Sequence, residues 1–202
     1  MVQKYRLLDQ FYTMLVDRKE FSKAICRIMP LLSTDLDNVI HLIDNYKVIK
    51  KLKRIYEYEV CTSHYSSKLW LHLSHVLEQA PKEAVAAGFF DILQTRIRGR
   101  LPQYHVWDMK CFALLLCCCE GQSRFVEVDG VKMLYDILKE EDLDSYEQVV
   151  YALMNGLFAK KVLWRCREFT DLPLIIVKLA GNPEERSQQL YCLQVYIDIY
   201  CM

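Results

Sequence analysis

The stretch Ser123-Arg-Phe-Val-Glu-Val-Asp-Gly-Val-Lys-Met-Leu-Tyr-Asp-Ile-Leu138 decides the fold. Its first half reads as a short helical piece that stops at Gly130, a residue suited to a left-handed turn. Val131, Leu134 and Leu138 then fall at i, i+3 and i+7, on one stripe of a second helix. The acidic break Glu140–Asp144 follows, with Asp144 as N-cap and Glu147 three residues on as its reciprocal partner. A longer helix runs from Ser145 to about Ala159. Short, medium, long is the order.

The medium-helix stripe recurs at a constant step, from i to i+41: Leu8/Phe11/Leu15, Ile49/Leu52/Tyr56, Phe90/Leu93/Ile97, Val131/Leu134/Leu138 and Leu172/Ile175/Leu179. The long helices keep the same step at Met29, Trp70, Cys111, Ala152 and Leu193, all apolar, as expected where neighbouring units touch. Lys82–Gly88 supplies another short helix and Tyr104–Cys119 another long one. In the last unit Gly181 ends the medium helix, and Asn182-Pro183-Glu184-Glu185 starts the long one with a capping Asn, a first-turn Pro and acids at the positive end. A constant step means one structural unit repeated along the chain. Stacked units bury their stripes in a continuous core and leave a long surface for partners. The spacing predicts an all-α domain over 1–202, with units at about 1–34, 35–80, 81–121, 122–160 and 161–202.

Composition supports this class. Of the 202 residues 52% are hydrophobic, enough for a substantial core, while six Gly and five Pro are too few for the tight turns of a β-sandwich. A net charge of zero does not favour general attraction to nucleic acid. No apolar run approaches the ~18 residues of a membrane-spanning helix, and Met1–Arg6 lacks a secretory apolar stretch. The nine Cys (26, 61, 111, 117, 118, 119, 166, 192 and 201) are odd in number and mostly sit in apolar helical stretches. They read as free thiols packed as small hydrophobes in a reducing compartment, which places the protein in the cytoplasm or nucleus.

Lys82-Glu-Ala-Val-Ala-Ala-Gly-Phe-Phe-Asp-Ile-Leu93 and Phe125-Val-Glu-Val-Asp-Gly-Val-Lys-Met-Leu134 resemble the short-to-medium helix junction of armadillo repeats. Tyr151-Ala-Leu-Met-Asn155 is similar to the end of that family's long helix, where an aromatic and an Asn stand four apart; related HEAT-type arrays share the pattern. The resemblance covers nearly the whole chain and implies a right-handed α-solenoid of about five three-helix units, with long helices lining a concave groove for peptides or partner proteins. One departure stands out. In peptide-clamping members the Asn recurs, whereas the strict-register equivalents of Asn155 are Leu73, Leu114 and Tyr196. A ladder of clamping amides is absent, which speaks against nuclear-localisation peptides as cargo.

Three surfaces are candidates for contact. The first is a partner-binding groove: Trp107, Gln148 and Gln189 share the repeat step with Ser66 one unit earlier, then come Lys110 and Tyr151 one turn on, then Asn155. Aromatics beside amides supply buried area and hydrogen bonds together. The second is basic: Lys47, Lys50, Lys51, Lys53 and Arg54 on one medium helix and Arg96, Arg98 and Arg100 on the next, a strip able to meet RNA, phospholipid head groups or an acidic protein segment. The plain alternative is a solvated helix face. The third is the segment 187–202, apolar nearly all round, which wants cover on more than one side. It predicts either a removed downstream unit or self-association as a homodimer through Leu190, Val195, Tyr196, Ile199 and Tyr200.

Metal and enzyme chemistry find little support. Cys61, His64, His72 and His75 have zinc-ligand character, but His64 and His72 are two helical turns apart, and the chain must fold back sharply to gather them. Cys117-Cys118-Cys119, read as consecutive helix positions, point about 100° apart and do not converge. No phosphate loop, nucleophile elbow or H-E-x-x-H helix is present. The sequence therefore predicts a non-enzymatic adaptor without a cofactor or membrane insertion. It holds a protein segment, with an RNA-associated or regulatory scaffold as the runner-up reading.

Overall fold

The structure is a computed structural model of the chain and describes residues 10–11, 13–14, 22–57, 66–99, 105–140, 146–181 and 186–201. Every regular element among the described residues is a helix. In chain order they are α1 (Ser22–Leu32), α2 (Leu36–Tyr46), α3 (Val48–Glu57), α4 (Ser66–Gln79), α5 (Pro81–Ala86), α6 (Phe89–Gly99), α7 (His105–Leu115), α8 (Cys119–Glu127), α9 (Gly130–Leu138), α10 (Tyr146–Gly156), α11 (Lys160–Arg167), α12 (Leu172–Ala180) and α13 (Arg186–Tyr200). The chain divides into two compact units, 1–92 and 93–202, with the boundary inside α6.

The repeat is visible in the backbone itself. The medium helices α3, α6, α9 and α12 start at Val48, Phe89, Gly130 and Leu172. The residue before each of the first three, Lys47, Gly88 and Asp129, has positive φ (49°, 92° and 50°). One left-handed residue thus turns the chain between short and medium helix at the repeat stride, and three residue types fill the place. Asp129, not Gly130, makes this turn in the deciding stretch. Gly130 opens α9 and is small for another reason: a Cβ there would lie 2.1 Å from Cδ2 of Phe125.

In the first unit α2 packs on α3 and α4, and α1 packs on α4. Asp35 caps α2 by accepting from the Asp37 amide at 3.0 Å. Helix α3 buries Val48, Ile49, Leu52, Ile55 and Tyr56. Full burial of such aliphatics contributes about 1.5–3 kcal/mol each before ordering entropy is subtracted. Trp70 is fully buried, its ring 4.2 Å from that of Tyr56, with Phe89 6.0 Å from Tyr56. At the end of α1 the Ser33 hydroxyl donates to the Pro30 carbonyl at 3.0 Å and stands 3.0 Å from His75 Nδ1. Its one proton is thereby used, so Nδ1–H donates to Oγ and the pair ties α1 to α4.

In the second unit α10 packs between α7 and α13, while α9 touches α8, α10 and α11, and α13 also covers α11 and α12. Phe125 is the centre of this packing. It is fully buried, 6.1 Å from Phe112, with Gly130 on one side and Gly156 on another. Gly121 admits the end of α7, since a Cβ there would lie 1.9 Å from the Leu115 carbonyl oxygen.

Most predicted seam positions are buried: Ile49, Leu52, Tyr56, Phe90, Leu93, Ile97, Val131, Leu134, Leu138 and Leu172. Leu8 and Leu15 lie outside the described residues, as does most of the acidic break before α10. In α12 the expected inner positions Ile175 and Leu179 are half-buried, and Ile176 is buried instead. The long-helix series holds for Met29, Trp70, Cys111 and Ala152, but Leu193 is 54% exposed and Cys192 is buried in its place. The cause is a shift of register. The inward position of α12 moves one place later, to Ile176, and that of α13 one place earlier, to Cys192. The path from Ile176 to Cys192 is consequently shorter than the equivalent path from Leu134 to Ala152.

Candidate functional site

The long helices α7, α10 and α13 pack successively within the second unit and present a common face. On α7 the apolar side (Met109, Cys111, Phe112, Ala113) faces inward, which leaves Trp107 and Lys110 half-buried on the other side. The Lys110 ammonium lies 5.4 Å from the Trp107 ring centre, a cation–π arrangement that fixes both. On α10 Gln148 and Tyr151 are half-buried one turn apart, and Gln148 Nε2 donates to Glu147 at 3.1 Å. The Tyr151 ring meets that of Tyr191 on α13 at 5.0 Å and 33°. Gln189 is also half-buried on α13. Large rigid rings with polar tips and low conformational entropy are therefore held at the surface of consecutive helices.

Under this face the charges are locked. Asp108 is buried, and Arg96 Nε donates to both its carboxylate oxygens at 3.2 Å. Burial pushes the Asp108 carboxyl up to about 6, against the opposing pull of Arg96. The pair joins α6 to α7 and removes Arg96 from the predicted basic strip, since only 14% of its side chain is exposed. Arg98 is exposed and donates to the Val128 carbonyl at 3.0 Å; Arg100 lies outside the described residues. In the first unit Lys47, Lys50 and Arg54 are exposed at i, i+3 and i+7, while Lys51 and Lys53 are half-buried. Burial lowers the Lys51 ammonium below its ordinary value.

Asn155 does not belong to the accessible face. It is buried, and its Nδ2 donates to the Ala113 carbonyl at 2.9 Å and lies 3.3 Å from Cys117 Sγ. A buried amide has to find partners, and the frayed end of α7 supplies them. Gln122 adds to the knot by donating to the Leu116 and Asn155 carbonyls. Ser66 opens α4 in the other unit, and its side chain lies outside the described residues. Val195 and Ile199, expected at a self-association surface, are fully buried inside the unit because the register shift turns them inward, while Tyr196 and Tyr200 are half-buried and Leu190 is exposed. Tyr191 escapes the sequence reading for the same reason. Strict spacing from Tyr151 points to Cys192, one position too far, and nothing in the local composition marks the shift.

A second concavity lies between α8 and α11. About 390 Å³ in volume, it has an apolar floor including Phe125, Val126 and Val162 and is rimmed by Trp164. Arg165 closes its edge by donating to both oxygens of Asp129, at 3.0 and 2.7 Å. That bond holds the Asp129 carboxyl below the usual range. Of the zinc candidates, Cys61 and His64 lie outside the described residues, and among those described no group of three or more His, Cys, Asp or Glu is placed to hold a metal ion. The Cys117–Cys119 run is not a continuous helix, as its first two residues form the turn before α8 and Cys119 opens it. No helix of the described residues is long and apolar enough to cross a membrane.

No protein-family model and no curated protein matches the sequence. Solved structures match its fold. An engineered protein aligns with a TM-score of 0.76 at 15% identity, over 95% of this chain and 78% of that one. The designed armadillo repeat protein YIII(Dq)4CqI aligns at 0.62 and 12% identity, over 95% of this chain and 99% of its own. A further designed armadillo repeat protein, in complex with the peptide (KR)4, aligns at 0.59 and 13%, over 94% and 99% of the two chains. Identities this low carry the fold and nothing finer. With its three-helix units and their left-handed junctions, the chain is an all-α repeat protein of armadillo-like fold.

Proposed function

We propose that this protein is a non-enzymatic adaptor that holds an extended segment of a partner protein on the α7–α10–α13 face. The observation that carries the reading is the row of surface aromatics on consecutive long helices, Trp107 beside Lys110 and Tyr151 against Tyr191. A designed protein of like fold holds a peptide, which supports a repeat scaffold for protein binding in general. Buried free thiols at Cys111, Cys166 and Cys192 suit a reducing compartment, the cytoplasm or nucleus. The test is selection from a displayed peptide library, followed by affinity measurement. Trp107→Ala or Tyr151→Ala should weaken the selected peptide at least about tenfold, or ~1.4 kcal/mol, without unfolding the chain. Unchanged affinity in both variants removes the proposal.

One observation favours a second reading. Lys50 and Arg54 on α3, with Lys47 in the turn before it, form an exposed cationic patch opposite a fully apolar buried side. This patch suits an anionic partner such as RNA. Binding that collapses with added salt and survives Trp107→Ala would select it over the first reading.

A further inference from the structure

Five of the seven exposed large hydrophobics among the described residues of the second unit stand on α12 and α13. These two helices pack on each other and already bury one apolar side each, through Leu172 and Ile176 and through Cys192, Val195 and Ile199. Each has a second apolar side facing out. On α12 it is Leu174 and Val177, 74% and 55% exposed. On α13 it is Leu190, Leu193 and Ile197, 67%, 54% and 47% exposed, with exposed Gln194 among them. Positions 190, 193, 194 and 197 fall at i, i+3, i+4 and i+7, the spacing by which a helix seats against another helix.

The chemistry of the surroundings narrows the occupant. Among the side chains described, one cation, Lys178, accompanies Leu174 and Val177 on α12, and one anion, Asp198, follows Ile197 on α13. A balanced face gives no attraction to a polyanion or an anionic lipid surface, whereas two copies of it meet without net repulsion. The five aliphatics together offer on the order of 500 Å² per copy, so a symmetric pair buries about 1,000 Å², the lower bound of a specific interface. A narrow peptide would leave one of the two helices uncovered.

We infer that α13 pairs antiparallel with the same helix of a second copy, with Leu174 and Val177 flanking the seam. The symmetry fixes the contacts. A two-fold axis beside Leu193 and Gln194 sets Leu190 of one copy against Ile197 of the partner subunit. The seam adjoins the aromatic face on α13, with Gln189 one turn from Leu193, so the two are told apart by a change on α7, far from the seam in sequence and on another helix.

The experiment is analytical ultracentrifugation of the full chain from about 1 to about 100 µM, since a modest interface of this size is expected to dissociate in the micromolar range. The wild type should sediment as a dimer at the upper end. Leu193→Glu should raise the dissociation constant at least about tenfold while far-UV ellipticity and Tm stay unchanged, and Trp107→Ala should leave the mass unaltered. If Leu193→Glu loses ellipticity, the milder Ile197→Gln takes its place under the same criterion. A wild type that remains monomeric throughout, or a folded variant that remains dimeric, overturns the inference.

Discussion

The amide of Asn155 on α10 reaches across to the Ala113 carbonyl on α7, 2.9 Å away and 42 residues earlier in the chain. One repeat thereby closes the open end of the preceding long helix. Asn155→Leu removes the donor and leaves the Ala113 carbonyl only local partners, the Leu116 amide and the weak Cys117 thiol. The expected loss is about 1–3 kcal/mol in urea unfolding. Affinity for a segment on the Trp107–Tyr151 face should hardly change.

Gly130→Ala places a methyl where the Phe125 ring lies. Overpacking of this kind costs about 1–3 kcal/mol. Phe125→Leu is destabilising by itself, but combined with Gly130→Ala it should cost less than the sum of the two changes. A double-mutant cycle by thermal or chemical unfolding reads the coupling.

Lys47 is exposed and left-handed at φ 49°. A side chain there is strained by roughly 1–2 kcal/mol, and Gly escapes that strain at an entropic cost of about 0.5–1 kcal/mol. Lys47→Gly should therefore stabilise the chain slightly, raising its midpoint of chemical unfolding. The same change at Asp129 should not help, because it also deletes the two bonds to Arg165.

His72 is fully buried, and burial first, then the charge of His75, hold its imidazole down to about 3. The unfolded chain takes up a proton near pH 6.5 while the folded chain does not. This residue's contribution is complete above pH 6.5 and is lost as pH falls toward 3, with a slope of up to ~1.4 kcal/mol per pH unit. Asp108 acts in the opposite direction: raised to about 6, it favours the folded state most below pH 4 and loses that advantage as pH rises through 6. His72→Leu should flatten the acid slope, and Asp108→Asn should remove the opposing one. Stability measured from pH 4 to 7 in each variant separates them.

The repeat and its helices are legible because apolar stripes report burial through a period that local geometry imposes. Leu52, Leu93 and Leu134 are all fully buried at the expected stride. Gly130 misleads because positive φ and close approach both select glycine, and sequence does not tell them apart. Asn155 misleads because a polar residue on a long helix is an available surface amide until a neighbouring helix end claims it. The face around Val195 and Ile199 is displaced by one position, and each such slip rotates every later side chain of the helix by about 100°. Of the aromatic face, Trp107, Gln148 and Tyr151 follow from spacing alone; their mutual arrangement depends on how α7 and α10 pack.

The left-handed residues at Lys47, Gly88 and Asp129 make each hinge a property of the main chain, which Lys, Gly and Asp each fill. Excising the stretch from Phe89 through Asp129 would join Gly88 to Gly130 with a hinge still ahead of a medium helix. Such a boundary suits duplication and loss of whole cassettes.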